Sequence, residues 1–472
     1  MIVAENAVDF KMIEQNIFRQ VCEWGCELLK QALERIDDKL MLERDRTVYR
    51  HKGSRQTAIK TVMGTIEFKR GVYERKNEDG NKSFVYLLDE ALGRSGSGFF
   101  SSLLSEQIVR SVCESSYRSG ARAVSEQTGQ TVSHTAAWQV VQSIGERVNA
   151  EEQRIAKAAA ENKGAGELET PILFEEQDGI WLNLQGKSRK QYGKNKEMKL
   201  AIAYDGAKKT GKKRFELTNK VACANFESND KFQKRKEGII ANNYNVDEIE
   251  MRFLNGDGAN WIKAAAADES VHLQLDVFHR NKAVITYVSN PDMRKEIFRL
   301  LYTKQTDLIL DYVEALSNSV ESDEERQNLL TLLTYFTNNK DGLVPCHRRG
   351  LDIPEPSEGK EYRHMGAMES NVFSLVGNRM KGRRACWSIG GGNNLARLLC
   401  LKATKKLSDA LQSLTAVALP ERYSDEIVTA LTSTKVAKPL GKGYNGFHQA
   451  VFFPATPDYK WLRDIGTLRP LS

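Results

Sequence analysis

The feature that most constrains this chain is a change of period at Thr170. From Gly98 to Ala160 the apolar residues recur at helical spacing. Beyond Thr170 they gather in strand-length runs: Pro171–Glu176, Ile180–Leu184, Met198–Tyr204, Ile249–Leu254 and Val271–Phe278. Asp178-Gly179 reads as a turn between the first two runs, and a Lys-rich hairpin leads into the third, which predicts three sequential antiparallel strands. Met293–Phe336 is then helical throughout, with an acidic face. Strands split by a long helical segment predict an α/β domain with a mixed sheet and a helical insertion.

The region before Thr170 is mainly helical. Phe10, Ile13, Ile17, Val21, Trp24, Leu28, Ile36 and Leu40 mark one long amphipathic helix within residues 1–45, long enough to suggest packing against a partner domain or a second copy. Residues 46–97 read as a small basic β-element, with Gly64 in a tight turn between Thr57–Val62 and Thr65–Arg70. Residues 98–165 contain a helix-turn-helix pattern: Gly120–Thr128, a left-handed turn at Gly129, and a second helix capped by Ser133. On that reading His134, Thr135 and Gln139 face a DNA major groove; a plain helical hairpin fits the residues equally well. Ala158–Glu169 is the expected linker. The expected domain parts are then 166–285, a helical insertion over 286–360, 361–410, and a tail over 411–472. Gly390-Gly391-Gly392 reads as a flexible turn.

Charge suggests the partner. The formal net charge of the 472 residues is +7, unevenly spread. Trp181–Lys220 holds twelve Lys or Arg against three acids, and Ser370–Lys406 eight against none. Such blocks attract polyanions, nucleic acid first among them. The seven cysteines never form a Cys-x-x-Cys pair, which predicts reduced thiols and a cytoplasmic protein with no disulfide framework. No apolar run approaches the length of a membrane span.

The chemistry is carried by acids at strand ends. Asn255-Gly256-Asp257-Gly258-Ala259-Asn260-Trp261 sets one carboxylate between two glycines directly after an apolar run, so the backbone there can approach a metal and a phosphate. Asp178 stands at an earlier strand end and Glu369 on a later helix in a basic context. Phosphodiester chemistry by two ions needs such carboxylates converging from separate elements, with the ions about 4 Å apart. An all-carboxylate set suits Mg²⁺ or Mn²⁺. Glu175, Glu176 and Asp205 compete with Asp178, and Glu358 and Glu361 with Glu369. Two strand-borne aspartates facing a helix-borne glutamate fit a ribonuclease H-like fold.

Here the chain resembles the bacterial insertion-sequence transposases with an Asp-Asp-Glu site, as a relative of the Mutator-like superfamily. The likeness lies in Gln177-Asp178-Gly179, Gly256-Asp257-Gly258-Ala259-Asn260-Trp261, Asp276-Val277-Phe278-His279, and Glu369-Ser370-Asn371 followed by Arg379, Lys381, Gly382, Arg383 and Trp387. It implies that Asp178, Asp257 and Glu369 are catalytic metal ligands, with Asp276, His279 and Trp261 in support. Asp276 stands where the family usually has Cys, which leaves its role open. Lys187, Arg189, Lys190, Arg379, Lys381, Arg383 and Arg384 are the expected phosphate contacts. The implied partners are double-stranded DNA, as element ends and target, and further copies of the chain, with no nucleotide cofactor. A silent DNA-binding descendant and a nuclease of the same fold are the alternatives.

Overall fold

The computed structural model describes residues 9–76, 81–92, 100–266, 270–302, 306–382 and 384–415. The chain divides into two units, Met1–Val112 with Tyr117–Ala137 and Thr415–Ser472, and Cys113–Ser116 with Trp138–Leu414.

In the first unit, helix α1 (Phe10–Glu43) starts at Asp9, whose side chain accepts the Lys11 amide. Strands β1 (Tyr49–Lys60), β2 (Thr65–Lys76) and β3 (Lys82–Val85) form an antiparallel sheet in that order, and α2 (Leu87–Ala91) follows. Leu33 and Ile36 of α1 pack with Ile59, Ile66, Phe68 and Leu88 into one buried cluster. Next come α3 (Ser102–Glu114) and α4 (Tyr117–Thr128), then α5 (His134–Ala160), whose residues from Trp138 onward belong to the second unit. Gly129 takes a φ of +68° between α4 and α5. Ser133 Oγ accepts the Ala136 amide at 3.1 Å and caps α5, leaving His134, Thr135 and Gln139 exposed along its first turns.

The second unit is built on a five-stranded mixed sheet. Its elements are β4 (Ile172–Asn183), α6 (Gly186–Tyr192), β5 (Asn195–Tyr204), the small hairpin β6 (Ala207–Gly211) and β7 (Arg214–Leu217), β8 (Val221–Asn225), α7 (Asn229–Ala241), β9 (Met251–Gly256), α8 (Asn260–Lys263) and β10 (Val271–Leu275). The strand order is β10-β9-β4-β5-β8. β5 runs antiparallel to both β4 and β8, while β9 is parallel to β4 and β10 to β9.

Several sequence expectations change here. Asp178-Gly179 is not a turn but the middle of β4, opposite Leu200 and Lys199. The turn signal arises because Asp178 Oδ1 accepts the Gly179 amide at 2.7 Å without the ladder being broken. The Lys-rich hairpin is the short helix α6, and the third antiparallel strand is β8, with Met198–Tyr204 inside the second. Val277 and Phe278 belong to a helix, because the Asp276 side chain caps it. Gly390–Gly392 form the first turn of α16 (Ile389–Ala403), capped by Ser388. A Cβ on Gly392 would stand 2.8 Å from the Phe226 ring, so this glycine buys close packing rather than flexibility.

Helices α9 (Val277–Tyr287), α10 (Pro291–Leu301), α11 (Thr306–Ser319), α12 (Asp323–Asn338) and α13 (Lys340–Leu343) share a core of their own that includes Val284, Ile297, Ile309, Val313, Leu332 and Phe336. The chain returns through α14 (Met368–Val372), a π-helical turn over Phe373–Gly377, α15 (Asn378–Met380), α16 and α17 (Leu407–Thr415). α16 is buried from Gly391 to Cys400, and Asn393 on it accepts the Phe226 amide just beyond β8 at 2.8 Å. Beneath it Glu152 accepts from Arg235 and Arg397, each at 2.9 Å. Most of the expected tail, 416–472, lies outside the described residues, as does Arg383. No helix among the described residues is long and apolar enough to cross a membrane.

Candidate active site

Register brings the first two aspartates side by side. Glu176 on β4 lies opposite Asn255 on the parallel strand β9, so two residues further along Asp178 comes beside Asp257, just past the end of β9. Asp257 is fixed by its neighbours: its Oδ1 accepts the Ala259 amide at 2.9 Å, and its carbonyl accepts the Tyr335 hydroxyl at 2.9 Å from α12. The flanking glycines serve this packing. A Cβ on Gly256 would fall 2.7 Å from Ile262 Cγ2, and Gly258 has a φ of +91° with the Asn339 amide where its Cβ would be.

Glu369 sits in the first turn of α14 and is exposed. Its helix is held from below by Glu176, which is fully buried on the same face of β4 as Asp178. The two Glu176 oxygens accept the amides of Gly366, Ala367 and Met368 at 3.0, 3.1 and 3.0 Å. They also accept the Tyr204 hydroxyl at 2.7 Å and Asn255 Nδ2 at 3.1 Å. Burial, and next the charge of Glu176, push the Tyr204 hydroxyl well above its ordinary value, which keeps it a donor. Asn255 Nδ2 also donates to Asp276 Oδ2 at 3.0 Å, and Gln274 Nε2 donates to Asn255 Oδ1 at 3.1 Å. Glu176, Asn255 and Gln274 are thus a buried polar row across β4, β9 and β10.

The row ends at a histidine. Asp276 Oδ1 accepts the backbone amide of His279 at 3.0 Å and pairs with its Nδ1 at 3.0 Å. The hydrogen bond that its ring donates to Asp276 is the main reason His279 is raised above its ordinary value, against the effect of burial. Asp276 is lowered, as hydrogen bonds from His279 and Asn255 outweigh its desolvation. Donor atoms of Asp178, His279 and Glu369 lie within 4.8 Å of one another, the one such cluster among the described residues able to hold a metal ion. Asp178 is pushed up to about 6 by burial first, then by the charges of Asp257 and Glu369, with the Gly179 amide and His279 opposing. A half-buried carboxyl raised by desolvation and by acidic neighbours is a site that a cation would relieve. Asp257 is close enough to influence Asp178 and His279, but it stands outside that cluster of three. The convergence therefore differs from the expected Asp178, Asp257 and Glu369, with His279 inside the set.

The rival acids are committed elsewhere. Glu175, on the opposite face of β4, is buried and paired with Lys236 and Arg252. Asp205 accepts from Thr218, Asn219 and Lys360 at 2.6–2.7 Å. Glu358 and Glu361 are exposed, the latter 3.9 Å from Arg363. Trp261 packs edge-on against Phe232 of α7, ring centroids 5.6 Å apart. Lys187, Arg189 and Lys190 are exposed on α6, as are Lys381 and Arg384 after α15. Arg379 is half-buried, its guanidinium 5.5 Å from the Trp387 ring centroid, so it stacks on protein rather than reaching outward. A groove of about 690 Å³, lined by Asp257, His279, Lys282, Thr331, Tyr335 and Asn338 among others, opens beside the site.

The chain belongs to an uncharacterised protein family, UPF0236, whose model matches residues 3–410. Its relatives include UPF0236 proteins of Caldanaerobacter subterraneus subsp. tengcongensis. Two are 26% identical over 427 residues, covering 84% of this chain and 82% and 78% of theirs. Another in the same organism, 24% identical over 365 residues, has a name that joins eleven gene designations, and the family there has many paralogues. Among solved structures, the Drosophila P element transposase strand transfer complex is similar at 11% identity and a TM-score of 0.21, covering 74% of this chain and 96% of that one.

Proposed function

We propose that this UPF0236 member is a DNA transposase that cuts and joins DNA at the ends of its own mobile element, through a ribonuclease H-like catalytic domain. The carrying observation is the convergence of Asp178 and Glu369, with Asp257 beside them, from a central strand and a helix that lie on either side of a helical segment. Support for the fold comes from the strand order: three antiparallel strands, β8-β5-β4, continued by two parallel to the first of them in sequence, is the arrangement of ribonuclease H-like domains. Dispersal of many paralogues in one related genome fits a gene that moves.

The donor set suits a divalent cation. Asp178, Asp257 and Glu369 would hold it, and when bound it supplies charge neutralisation at the phosphate and a more acidic water. The residues themselves orient the reaction. Water attacks phosphorus at the element end, the P–O3′ bond breaks, and the departing 3′-hydroxyl takes up a proton. That hydroxyl then attacks a target phosphodiester in line, one P–O bond forming as another breaks, so no nucleotide cofactor is consumed. Lys187, Arg189, Lys190, Lys381 and Arg384 neutralise phosphates, and the α4–α5 pair reads the terminal repeat through His134, Thr135 and Gln139. Two ends must meet, so the working form is a homo-oligomer on double-stranded DNA.

The test uses D257N and duplexes carrying the sequences that flank the gene. Wild type cleaves them with Mg²⁺ or Mn²⁺ and yields joined products, while D257N binds equally and cleaves at least about a hundredfold more slowly. Undiminished cleavage by D257N refutes the assignment; cut DNA that is never joined indicates a nuclease.

A further inference from the structure

The cluster whose donor atoms converge contains an imidazole where an all-carboxylate set was expected. We propose that His279 is a direct metal ligand, completing with Asp178 and Glu369 a site that prefers ions accepting nitrogen, Mn²⁺ or Co²⁺ rather than Mg²⁺. The inference rests on the metal-dependent reading of this site and names a ligand that reading does not require.

Three observations carry it. First, the His279 ring has a donor atom within 4.8 Å of carboxylate oxygens on two other elements, β4 and α14. Second, Nδ1 is already engaged with Asp276 Oδ1 at 3.0 Å, so Nε2 is the ring nitrogen left for an ion. A carboxylate that accepts a hydrogen bond from Nδ1–H fixes the tautomer whose Nε2 carries the lone pair, the usual arrangement behind a metal-bound histidine. Third, the ring is held in place for that task. Asp276 also caps α9 through the His279 amide and receives Asn255, itself bonded to Glu176 under the Glu369 helix, so one buried network positions two of the three ligands. Asp276 is the positioning residue here, and its carboxylate acts through His279.

Two carboxylates and one imidazole suit ions that admit nitrogen to an oxygen-rich shell, Co²⁺ and Mn²⁺ among them, whereas Mg²⁺ favours an all-oxygen shell with several waters. Asp257 then remains free to share a second ion with Asp178.

The experiment is pulsed electron paramagnetic resonance on the full-length protein loaded with one equivalent of Mn²⁺, alongside titration of Mn²⁺ and Mg²⁺. Wild type is expected to show ¹⁴N modulation from a bound imidazole and to take Mn²⁺ at least about tenfold more tightly than Mg²⁺. H279Q, checked for folding by circular dichroism, loses the ¹⁴N modulation and about tenfold or more of the Mn²⁺ affinity. D276N keeps the modulation and binds more weakly, as a positioning role requires. Wild-type Mn²⁺ without nitrogen modulation overturns the His279 assignment even if H279Q fails to fold. The two readings fail separately: D257N leaves this ligand set untouched, so full cleavage by D257N with the nitrogen signal intact refutes the Asp257 reading alone.

Discussion

Glu176 was a rival ligand in the sequence and is a structural clamp in the fold, and replacing it is the sharpest test of how the site is assembled. It is fully buried and accepts five donors: the amides of Gly366, Ala367 and Met368, the Tyr204 hydroxyl and Asn255 Nδ2. In E176A all five lose their acceptor. Hydrogen bonds to a charged group contribute about 1.5–3 kcal/mol each, but they are not additive, and the carboxylate's own burial cost is recovered. A net loss of about 3–5 kcal/mol follows, a drop of roughly 10 °C in the unit's melting temperature. E176Q is milder for a geometric reason. If its amide group takes the place of Oε1, the Tyr204 hydroxyl can turn to accept from it, and only the Ala367 amide is left facing a donor, at a cost of about 1–3 kcal/mol. The readout that isolates the clamp is amide hydrogen exchange. Both variants should lose protection at Gly366–Met368 before the sheet does, with Mn²⁺ affinity falling in parallel as Glu369 is released. Unchanged protection at these three amides in E176A would refute the clamp, whatever the melting temperature does.

Two further outcomes follow from the site. G258A places a side chain at a φ of +91° against the Asn339 amide, which costs about 1–3 kcal/mol and shifts Asp257. Cleavage should fall at least about tenfold, with DNA affinity in a gel-shift assay unchanged; wild-type cleavage rates would count against the fixed Asp257 turn. Asp178 titrates from an ordinary value of 3.8 up to about 6 when folded, so between these values the folded chain holds a proton the unfolded chain has lost. Metal-free stability from this group is therefore full below about pH 4 and declines through pH 6, by about 2 kcal/mol once partial exposure is allowed for. Melting curves of wild type against D178N between pH 4 and pH 6 should differ in slope, and Mn²⁺, by holding the ionised carboxylate, should offset the decline there; equal slopes would exclude the effect.

What the sequence made legible follows from how local each signal is. The long helix over residues 10–43, the strands around Gly64 and the Gly129 turn before Ser133 are set by short-range period and capping, and those elements stand in the structure. Asp178 misled locally because a side-chain bond to the next amide has the chemistry of a turn, while the strand paired with β4 there is contributed by Leu200 and its neighbours, far along the chain. The Lys-rich run holds α6 in the connection between β4 and β5, and the Gln185 amide just before it donates to the carbonyl of Trp387, a partner too far along the chain for any local pattern to show.

The site was half legible for a related reason. A period of two along β4 puts Glu176 and Asp178 on one face, so one of the two must lie under whatever covers that face. Which of them joins His279 and Glu369 in the open cluster depends on depth, and depth is set by the distant Glu369 helix settling its amides on Glu176. His279 is similar: its spacing from Asp276 signals a capped helix, but only the parallel register of β9 and β10 carries that cap to the Asp178 side of the sheet. The glycines at 256 and 258, which looked like room for a DNA backbone, are filled by Ile262 and Asn339 instead. Close approach there serves to hold Asp257 still, and a carboxylate held still costs no reorganisation when a phosphate arrives.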